Sequence, residues 1–236
     1  MLRKRYAKAA ALVDRKSSYP LDQAVTVLKE MPPVKFDQTV EISASLNIDP
    51  KKTDQVVRGT VVLPHGTGKV RKVAVFCKGE KESLAKQAGA EFVGAAELIE
   101  KVQGGWLEFD VAIATPDMMR DVSRLGKVLG PRGMMPNPKT GTVTDDVAKA
   151  VEEVKKGRVE FKMDKLSNIH FVIGRLSFTP EKLVENGRTA IDAIVRARPS
   201  TLKGRMLRRL SLSSTMSPGI DLKTEGLELN TEQESS

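Results

Sequence analysis

The sequence predicts an α+β fold with an α/β insertion, from two contrasting patterns along its 236 residues. In the middle, short apolar runs alternate with helical segments, which is the βαβα order of a layered domain. At both ends, apolar and polar residues alternate, which is typical of antiparallel strands with one wet face. The strands at each end need those at the other to complete a sheet, so we predict two domains. Residues 1–68 and 160–223 form an α+β split β-α-β sandwich, and residues 69–159 form a Rossmann-like three-layer α/β domain.

The middle segment begins with an apolar run at 72–76, as expected for a buried parallel strand. Thr115-Pro116-Asp117 then gives an N-cap, a proline at the first helical position and an acid in the first turn. The other predicted elements are helices at 80–88 and 95–103, strands at 91–93 and 109–114, a Gly/Pro stretch at 126–141, and a helix opened by Thr144-Asp145-Asp146 that runs to about 156.

The clearest strand pattern in the outer segments lies at residues 36–48. One face holds Val40, Ile42, Ala44, Leu46 and Ile48, and the other holds Thr39, Glu41, Ser43, Ser45 and Asn47. Further strands are predicted at 158–163, 169–178 and 209–215, with amphipathic helices at 21–31 and 179–197. The outer domain is therefore predicted to contain a sheet with one polar face.

The net charge of +9 favours a polyanionic partner, because a basic, well-mixed surface attracts nucleic acid. Residues 224–236 hold four acids and no base, so the rest of the chain carries +13. We predict that this acidic tail is disordered. Aromatic residues make up only 4%, which argues against a base-stacking platform.

Enzyme chemistry is not predicted. His65 and His170 are far apart in sequence, and no spacing beside them suggests a metal site. The single cysteine, Cys77, excludes an internal disulfide and is predicted to be a core residue, which fits a reducing cytoplasm. The segment 65–69 (HGTGK) resembles part of a phosphate loop, but Leu63 and Val70 replace the required glycine and Ser/Thr.

The first middle strand also lacks the glycine fingerprint of a dinucleotide site, so we predict no cofactor. Neither a membrane span, which needs roughly 20 apolar residues, nor a secretory signal is predicted. These exclusions favour a nucleic-acid-binding protein over an enzyme, and composition alone is equally typical of a basic protein without a polyanionic partner.

Five segments of the sequence are unusually specific. They are Lys35–Glu41 (KFDQTVE), Leu63–Lys69 (LPHGTGK), Leu129–Val143 (LGPRGMMPNPKTGTV), Asp164–His170 (DKLSNIH) and Ser213–Gly219 (SSTMSPG). Together they closely resemble the bacterial ribosomal protein L1 family, whose members sit on the mobile stalk beside the tRNA exit site of the large ribosomal subunit. The resemblance runs in order from about residue 3 to 222.

The resemblance implies a two-domain fold, a monomer off the ribosome, and a location on the cytoplasmic ribosome. It implies binding to the 23S rRNA stalk, mainly through the outer domain, and to exit-site tRNA, whose release the stalk assists. It also implies a translational repressor that binds its own operon mRNA. Carried over by motif, the RNA-binding residues are Lys35, Phe36, Thr39, Glu41, Lys165, Ser167, His170, Ser213, Thr215, Met216 and Ser217.

These residue types suit RNA. Small hydroxyls on a strand face can read 2′-hydroxyls and phosphates at close range, and lysines suit phosphates. Glu41 would be repelled by phosphate, so we expect it to accept from a 2′-OH or a base amine. By themselves, however, Phe36 and Met216 are more typical of core residues than of an RNA-contacting surface. Thr39 and Ser213 fit an ordinary wet strand face, and His170 fits a structural role.

Two departures from the family pattern bear on the site. Ser217 and the pair Leu166-Ser167 stand where glycine-containing pairs are usual, and a serine there would be costly if the backbone needs a positive φ. The Gly/Pro segment at 129–143 has two interpretations. It is either a rigid turn or a second nucleic-acid surface through Arg132 and Lys139.

Overall fold

A computed structural model describes residues 4–50, 52, 55–202 and 204–224 of the chain. It divides into two compact units: unit 1 comprises Met1–Gly68 and Val159–Ser236, and unit 2 comprises Lys69–Arg158. Among the described residues, unit 1 combines two sheets with helices and unit 2 combines one sheet with helices, which confirms the α+β class predicted from the sequence. The predicted acidic tail, residues 224–236, lies outside the described residues except for Thr224.

Unit 1 is built on a four-stranded antiparallel sheet of order β7-β1-β8-β9. Strands β7 and β8 both run antiparallel to β1, which lies between them, and helix α8 connects them in sequence. This is a split β-α-β arrangement. A two-stranded sheet, β2-β6, completes the unit. Its elements are α1 (Lys4–Ala11), α2 (Leu21–Glu30), β1 (Thr39–Leu46), β2 (Arg58–Val62), β6 (Arg158–Lys162), β7 (Asn168–Arg175), α8 (Pro180–Arg196), β8 (Leu207–Ser214) and β9 (Ile220–Leu222).

The four-stranded sheet buries one face only. Along β1, residues alternate between half-buried and fully buried, and Val40, Ile42 and Ala44 point into the core. The same core takes Leu28 from α2 and Ile194 from α8. The strict period of two therefore leaves every second residue of β1 on the opposite, solvent-facing side.

Unit 2 covers its sheet on both faces. Three parallel strands have the order β4-β3-β5, and all four residues of β3 are buried. One apolar cluster packs α4 and the segment after β5 against the sheet, and a second packs α3 and α7 on the other side. The elements are β3 (Val73–Phe76), α3 (Glu80–Gln87), β4 (Phe92–Gly94), α4 (Ala96–Gln103), β5 (Val111–Ala114), α5 (Met119–Val122), α6 (Gly126–Leu129) and α7 (Val147–Lys155).

Some local expectations differ from the structure. The β1 strand starts at Thr39, not at residue 36. The Gly/Pro stretch from 126 holds a helical turn, α6, and a 3-10 turn, Pro138–Thr140. Of the predicted N-caps, the Thr115 side chain accepts no backbone hydrogen bond, whereas the Asp146 carboxylate accepts one from Lys149 N–H at 3.2 Å. The Thr179 side chain at the start of α8 also accepts none. Within the described ranges, every helix is too short or too polar to cross a membrane.

Candidate nucleic-acid interface

The solvent-facing side of the four-stranded sheet, which we call the outer face, is a grid of small polar side chains. In β1, Ser43 stands opposite His170 of β7 and Ser211 of β8. The neighbouring rows along the strands are Val172-Glu41-Ser213 and Asn168-Ser45-Arg209. The sequence pattern anticipated the wet side of β1, and the register shows which residues of β7 and β8 share it.

A groove of about 380 Å³ lies over the lower part of this grid. Within it, the Ser43 hydroxyl and His170 Nδ1 are 3.0 Å apart and share a hydrogen bond. Arg208 and Arg209 also line it, and Arg209 forms a two-point ion pair with Asp221, with nitrogen–oxygen distances of 2.9 and 2.6 Å. The Asp221 carboxylate raises the pKa of the Arg209 guanidinium above its ordinary value through these hydrogen bonds. The groove therefore presents hydroxyls, an imidazole and two permanent cations.

The upper end of the outer face joins segments that are distant in sequence. Thr39 N–H donates to the Thr215 hydroxyl at 3.1 Å, and Thr215 N–H donates to the Thr39 carbonyl at 3.1 Å. These bonds place the two threonines side by side, although they are 176 positions apart in sequence. The Thr215 hydroxyl consequently holds the two segments together, a role that alternation along one strand does not reveal.

Gln38 is the residue that organises this end, and it was not singled out from the sequence. Its side chain is only 4% exposed. Its Oε1 accepts hydrogen bonds from the Ser214 hydroxyl at 3.0 Å and from Met216 N–H at 2.9 Å. Nothing in the local pattern distinguishes Gln38 from a surface residue, because its partners come from more than 170 positions away.

Two large apolar side chains remain in solvent at this end. Phe36 is 52% exposed and Met216 is 42% exposed. The backbone of Met216 is fixed, because its N–H donates to Gln38 and its carbonyl accepts from Arg5 at 2.6 Å. Because neither side chain is buried in the core, both are available to contact a ligand. Lys35, which precedes Phe36, is exposed as well.

The lower end of the outer face is the turn between β6 and β7. Asp164 Oδ1 accepts from Leu166 N–H at 2.8 Å and from Asn168 N–H at 2.7 Å. The Asn168 and Leu166 amides lower the pKa of the Asp164 carboxyl below its ordinary value, with the Asn168 amide the larger cause. This turn leaves Lys165 exposed and Leu166 78% exposed. With β1 rising about 3.3 Å per residue, the two ends of the face lie roughly 20 Å apart.

The strands of the outer face carry two carboxylates as well as cations, namely Glu41 and Asp221, and Asp221 pairs with Arg209. The cations of the outer face come from Lys35 and Lys165 at the ends and from the arginines in the groove. Glu41 stands in the middle row, between Val172 and Ser213, and is half-buried. A carboxylate there disfavours a nearby phosphate and favours a hydrogen-bond donor.

Among the described residues, no group of three or more His, Cys, Asp or Glu side chains is placed to hold a metal ion. The sequence profile of the Ribosomal protein L1p/L10e family matches residues 28–218. This range covers most of the chain and includes the whole outer face except β9. The chain belongs to this family.

Membership of the L1p/L10e family makes the chain a structural, RNA-binding protein of the large ribosomal subunit, and not an enzyme. It works on the cytoplasmic ribosome and binds rRNA. The resemblance inferred from the motifs is therefore confirmed. The residues that contact RNA, and the region of RNA bound, remain proposals.

Ser167 and Ser217, which stand where the family usually has glycine, differ in backbone conformation. Ser167 has a φ of 62°, and within the described part of the chain it is the one non-glycine residue with a positive φ. Its side chain is 5% exposed, and its hydroxyl donates to the Ile48 carbonyl at 2.7 Å. The side chain of Ser167 is therefore committed to the fold and is not presented to a ligand.

At Ser217 the backbone does not require glycine, because φ is not positive there. The Ser217 hydroxyl accepts from Ser214 N–H at 2.8 Å and donates to the Pro218 carbonyl at 3.0 Å. These bonds close the turn that carries Met216. Serine thus stabilises the turn locally, whereas Ser167 must adopt a left-handed conformation that favours glycine.

In unit 2 the Gly/Pro segment of the family is a fixed turn. Met134 N–H donates to the Leu129 carbonyl at 3.0 Å, and Asn137 N–H donates to the Thr142 hydroxyl at 2.8 Å. Arg132 is exposed in this turn, and the structure gives no description of the Lys139 side chain. The segment is therefore a fixed turn on which Arg132 is accessible to a ligand. Cys77 is fully buried, as predicted, and burial raises the pKa of its thiol.

Proposed function

We propose that the outer face of unit 1 binds the stalk region of 23S rRNA, near the tRNA exit site of the large subunit. The observation that carries this proposal is the set of solvent-facing hydroxyl, imidazole and amide groups in neighbouring rows across three strands, with cations beside them. A nucleic-acid backbone offers phosphates and 2′-hydroxyls at close spacing. Small polar groups on a flat sheet reach both.

The surface divides into two kinds of contact. Lys35 and Lys165 neutralise phosphates at its two ends, while the arginines do so in the groove. Thr39, Ser213 and Thr215 exchange hydrogen bonds with ribose or base edges, and Glu41 accepts from a 2′-OH or a base amine. Phe36 and Met216 cover apolar faces of nucleotides at the upper end, which accounts for their exposure. His170 contributes its second ring nitrogen, because Nδ1 is already paired with Ser43.

Rigidity supports specificity on this face. Gln38 and the two threonines fix the upper end by hydrogen bonds to buried or backbone groups, and Asp164 fixes the lower turn. A preformed surface loses little conformational entropy on binding. Since the dimensions of the face are set before RNA arrives, RNA of the wrong shape leaves some of these polar groups unpaired.

The same surface supports two finer roles expected of the family. An mRNA that folds like the rRNA stalk would occupy the outer face in its place, so the chain would repress translation of its own operon mRNA. On the ribosome, a stalk held by this protein would assist release of deacylated tRNA from the exit site. Both roles depend on the same RNA contact.

The proposal is tested by replacing threonine hydroxyls on the outer face. Thr39→Val and Thr215→Val should each weaken binding to a stalk fragment of 23S rRNA about tenfold or more, because an RNA group left unpaired costs roughly 1–3 kcal/mol. Thr215→Ser, which keeps the hydroxyl bound to Thr39 N–H, should bind like the parent. Thr26→Val, an exposed threonine of α2 whose hydroxyl donates to the Asp22 carbonyl, is the matched control.

Melting temperatures distinguish recognition from folding in this series. Thr39→Val should melt like the parent, and Thr215→Val slightly lower, because Thr39 N–H loses its partner. Parent-like binding by both valine variants, or loss of affinity only in proportion to unfolding, would show that RNA does not lie on this face.

A further inference from the structure

A second basic surface lies on unit 2, on the segment that follows β5. This segment runs through successive helical turns from Pro116 to Leu129. Its apolar residues recur three or four positions apart and pack on the unit 2 core, namely Met118, Val122, Leu125 and Leu129. Because a helix places such residues on one side, the cations Arg120, Arg124 and Lys127, with the same spacing, lie on another side and are exposed.

The turn after α6 continues this row. Gly130 N–H donates to the Gly126 carbonyl at 3.0 Å, and a Cβ at Gly130 would lie only 2.5 Å from that oxygen. Gly133 has a φ of 69°. Glycine is thus needed for this tight return of the chain, which presents exposed Arg132. We call Arg120, Arg124, Lys127 and Arg132 the basic ridge.

The cations of the basic ridge are not neutralised within unit 2. None of the four side chains forms an ion pair with any described residue. Elsewhere in the unit, acids do pair with cations, as in Lys69–Asp110 at 2.5 Å and Lys81–Asp145 at 2.7 Å. Of the acids within the segment itself, Asp117 also interacts electrostatically with Lys81. The ridge therefore keeps a net positive charge.

The spacing of the ridge cations indicates which class of ligand they bind. Along a helix with a rise of 1.5 Å per residue, successive ridge cations are offset by about 5–6 Å. Arg120, Arg124 and Lys127 are spread along one side of the segment, so they do not enclose a small anion. Spread, unpaired cations match a linear polyanion, whose phosphates arginine and lysine side chains contact.

We propose that the basic ridge is a second RNA-binding surface, which contacts the phosphate backbone of RNA already engaged by the ribosomal function of this family. It would contribute affinity without sequence specificity, separately from the outer face. Each phosphate neutralised adds somewhat under one to the slope of log affinity against log salt. This proposal assigns the ridge a partner of one chemistry, the RNA backbone, which both rRNA and tRNA supply.

The test uses the full-length chain with Arg120→Gln, Arg124→Gln, Lys127→Gln and Arg132→Gln combined. The matched control combines Lys78→Gln, Lys86→Gln, Lys101→Gln and Lys149→Gln, which removes four exposed cations from other parts of unit 2. Binding to deproteinised 23S rRNA is measured over a salt series, and a separate arm uses deacylated tRNA. The RNA whose salt dependence of binding changes in the variant is the RNA whose backbone the ridge contacts.

We expect the ridge variant to lower the salt slope by about three on one RNA or both, and the control variant to leave it nearly unchanged. Arg132→Gln alone should lower it by about one, which guards against loss of folding in the combined variant. Parent-like slopes on both RNAs would overturn the proposal, and so would equal slope losses in ridge and control. Unchanged RNA binding with impaired assembly into the large subunit would assign the ridge to a protein partner instead.

The outcome is separable from that of the outer face. If the threonine variants bind normally but the ridge variant loses slope, the outer-face proposal fails and the ridge stands. The reverse pattern rejects only the ridge.

Discussion

The two sheets of this chain differ in how many faces they leave to solvent. The antiparallel sheet of unit 1 packs α2 and α8 on one side and exposes a polar grid on the other. The parallel sheet of unit 2 is covered on both sides, so its exposed cations stand on helices and turns. A flat grid of short hydroxyls reads shape at close range, whereas long side chains on a helix contact charge. The difference predicts specificity from unit 1 and salt-sensitive affinity from unit 2.

The largest expected effect comes from separating the units. Residues 1–68, joined by a short linker to 160–223, should fold and keep most of the stalk-RNA affinity, because β1 lies between two strands of the second segment. Residues 69–159 alone should retain only nonspecific binding, weaker by roughly a thousandfold. Filter binding with the stalk fragment and an unrelated RNA of equal length measures both quantities.

An isolated unit 2 that prefers the stalk fragment over the unrelated RNA would reverse the comparison. Failure of the joined segments to fold, shown by circular dichroism, would mean that unit 1 needs its insertion.

A smaller effect, on the salt dependence of binding, should distinguish charged from neutral contacts on the outer face. Lys35→Gln and Lys165→Gln should each lower the salt slope of stalk-RNA binding by about one, since each variant releases one counterion fewer from the RNA than the parent does. Thr39→Val should weaken binding at every salt concentration without changing the slope, because a hydroxyl releases no counterion. A slope change in the threonine variant, or none in either lysine variant, would contradict this division of contacts.

The smallest effect concerns Ser167 and Ser217. Ser167→Gly removes the left-handed strain, about 1 kcal/mol, and also loses a hydrogen bond of similar value to the Ile48 carbonyl. Its free energy of unfolding should therefore change by less than about 1 kcal/mol. Ser167→Val loses the bond and adds strain, because a β-branched side chain is costlier than serine at a positive φ, so it should destabilise by roughly 2–4 kcal/mol.

Ser217→Gly is the counterpart, because its backbone has no positive φ to relieve. It should only lose stability, by about 1 kcal/mol, as Ser214 N–H loses its acceptor. Urea denaturation of the three variants measures these differences. Marked stabilisation by Ser217→Gly, or a mild effect of Ser167→Val, would show that the two positions have been assigned the wrong roles.

The groove over the lower grid required the register of three strands. Ser43 could be placed on the wet side of β1 from alternation, but its pairing with His170 joins residues 127 positions apart. Arg209 was likewise predicted to point outward, yet its ion pair with Asp221 depends on the β8-β9 pairing. Local periodicity determines which side a residue faces and carries no information on which strand lies beside it.

The sequence alone determined the class of fold, the wet side of β1, the basic character and, through its motifs, the family. Each of these follows from local periodicity, composition or ordered motif matches. Only the tertiary structure decided that Gln38 is buried, that Ser167 serves the fold, and that Thr215 holds Thr39. These outcomes depend on hydrogen bonds between segments brought together by the β7-β1-β8 pairing. A polar residue looks the same in sequence whether its partner is water or a distant backbone group, so only the assembled sheet distinguishes a binding residue from a structural one.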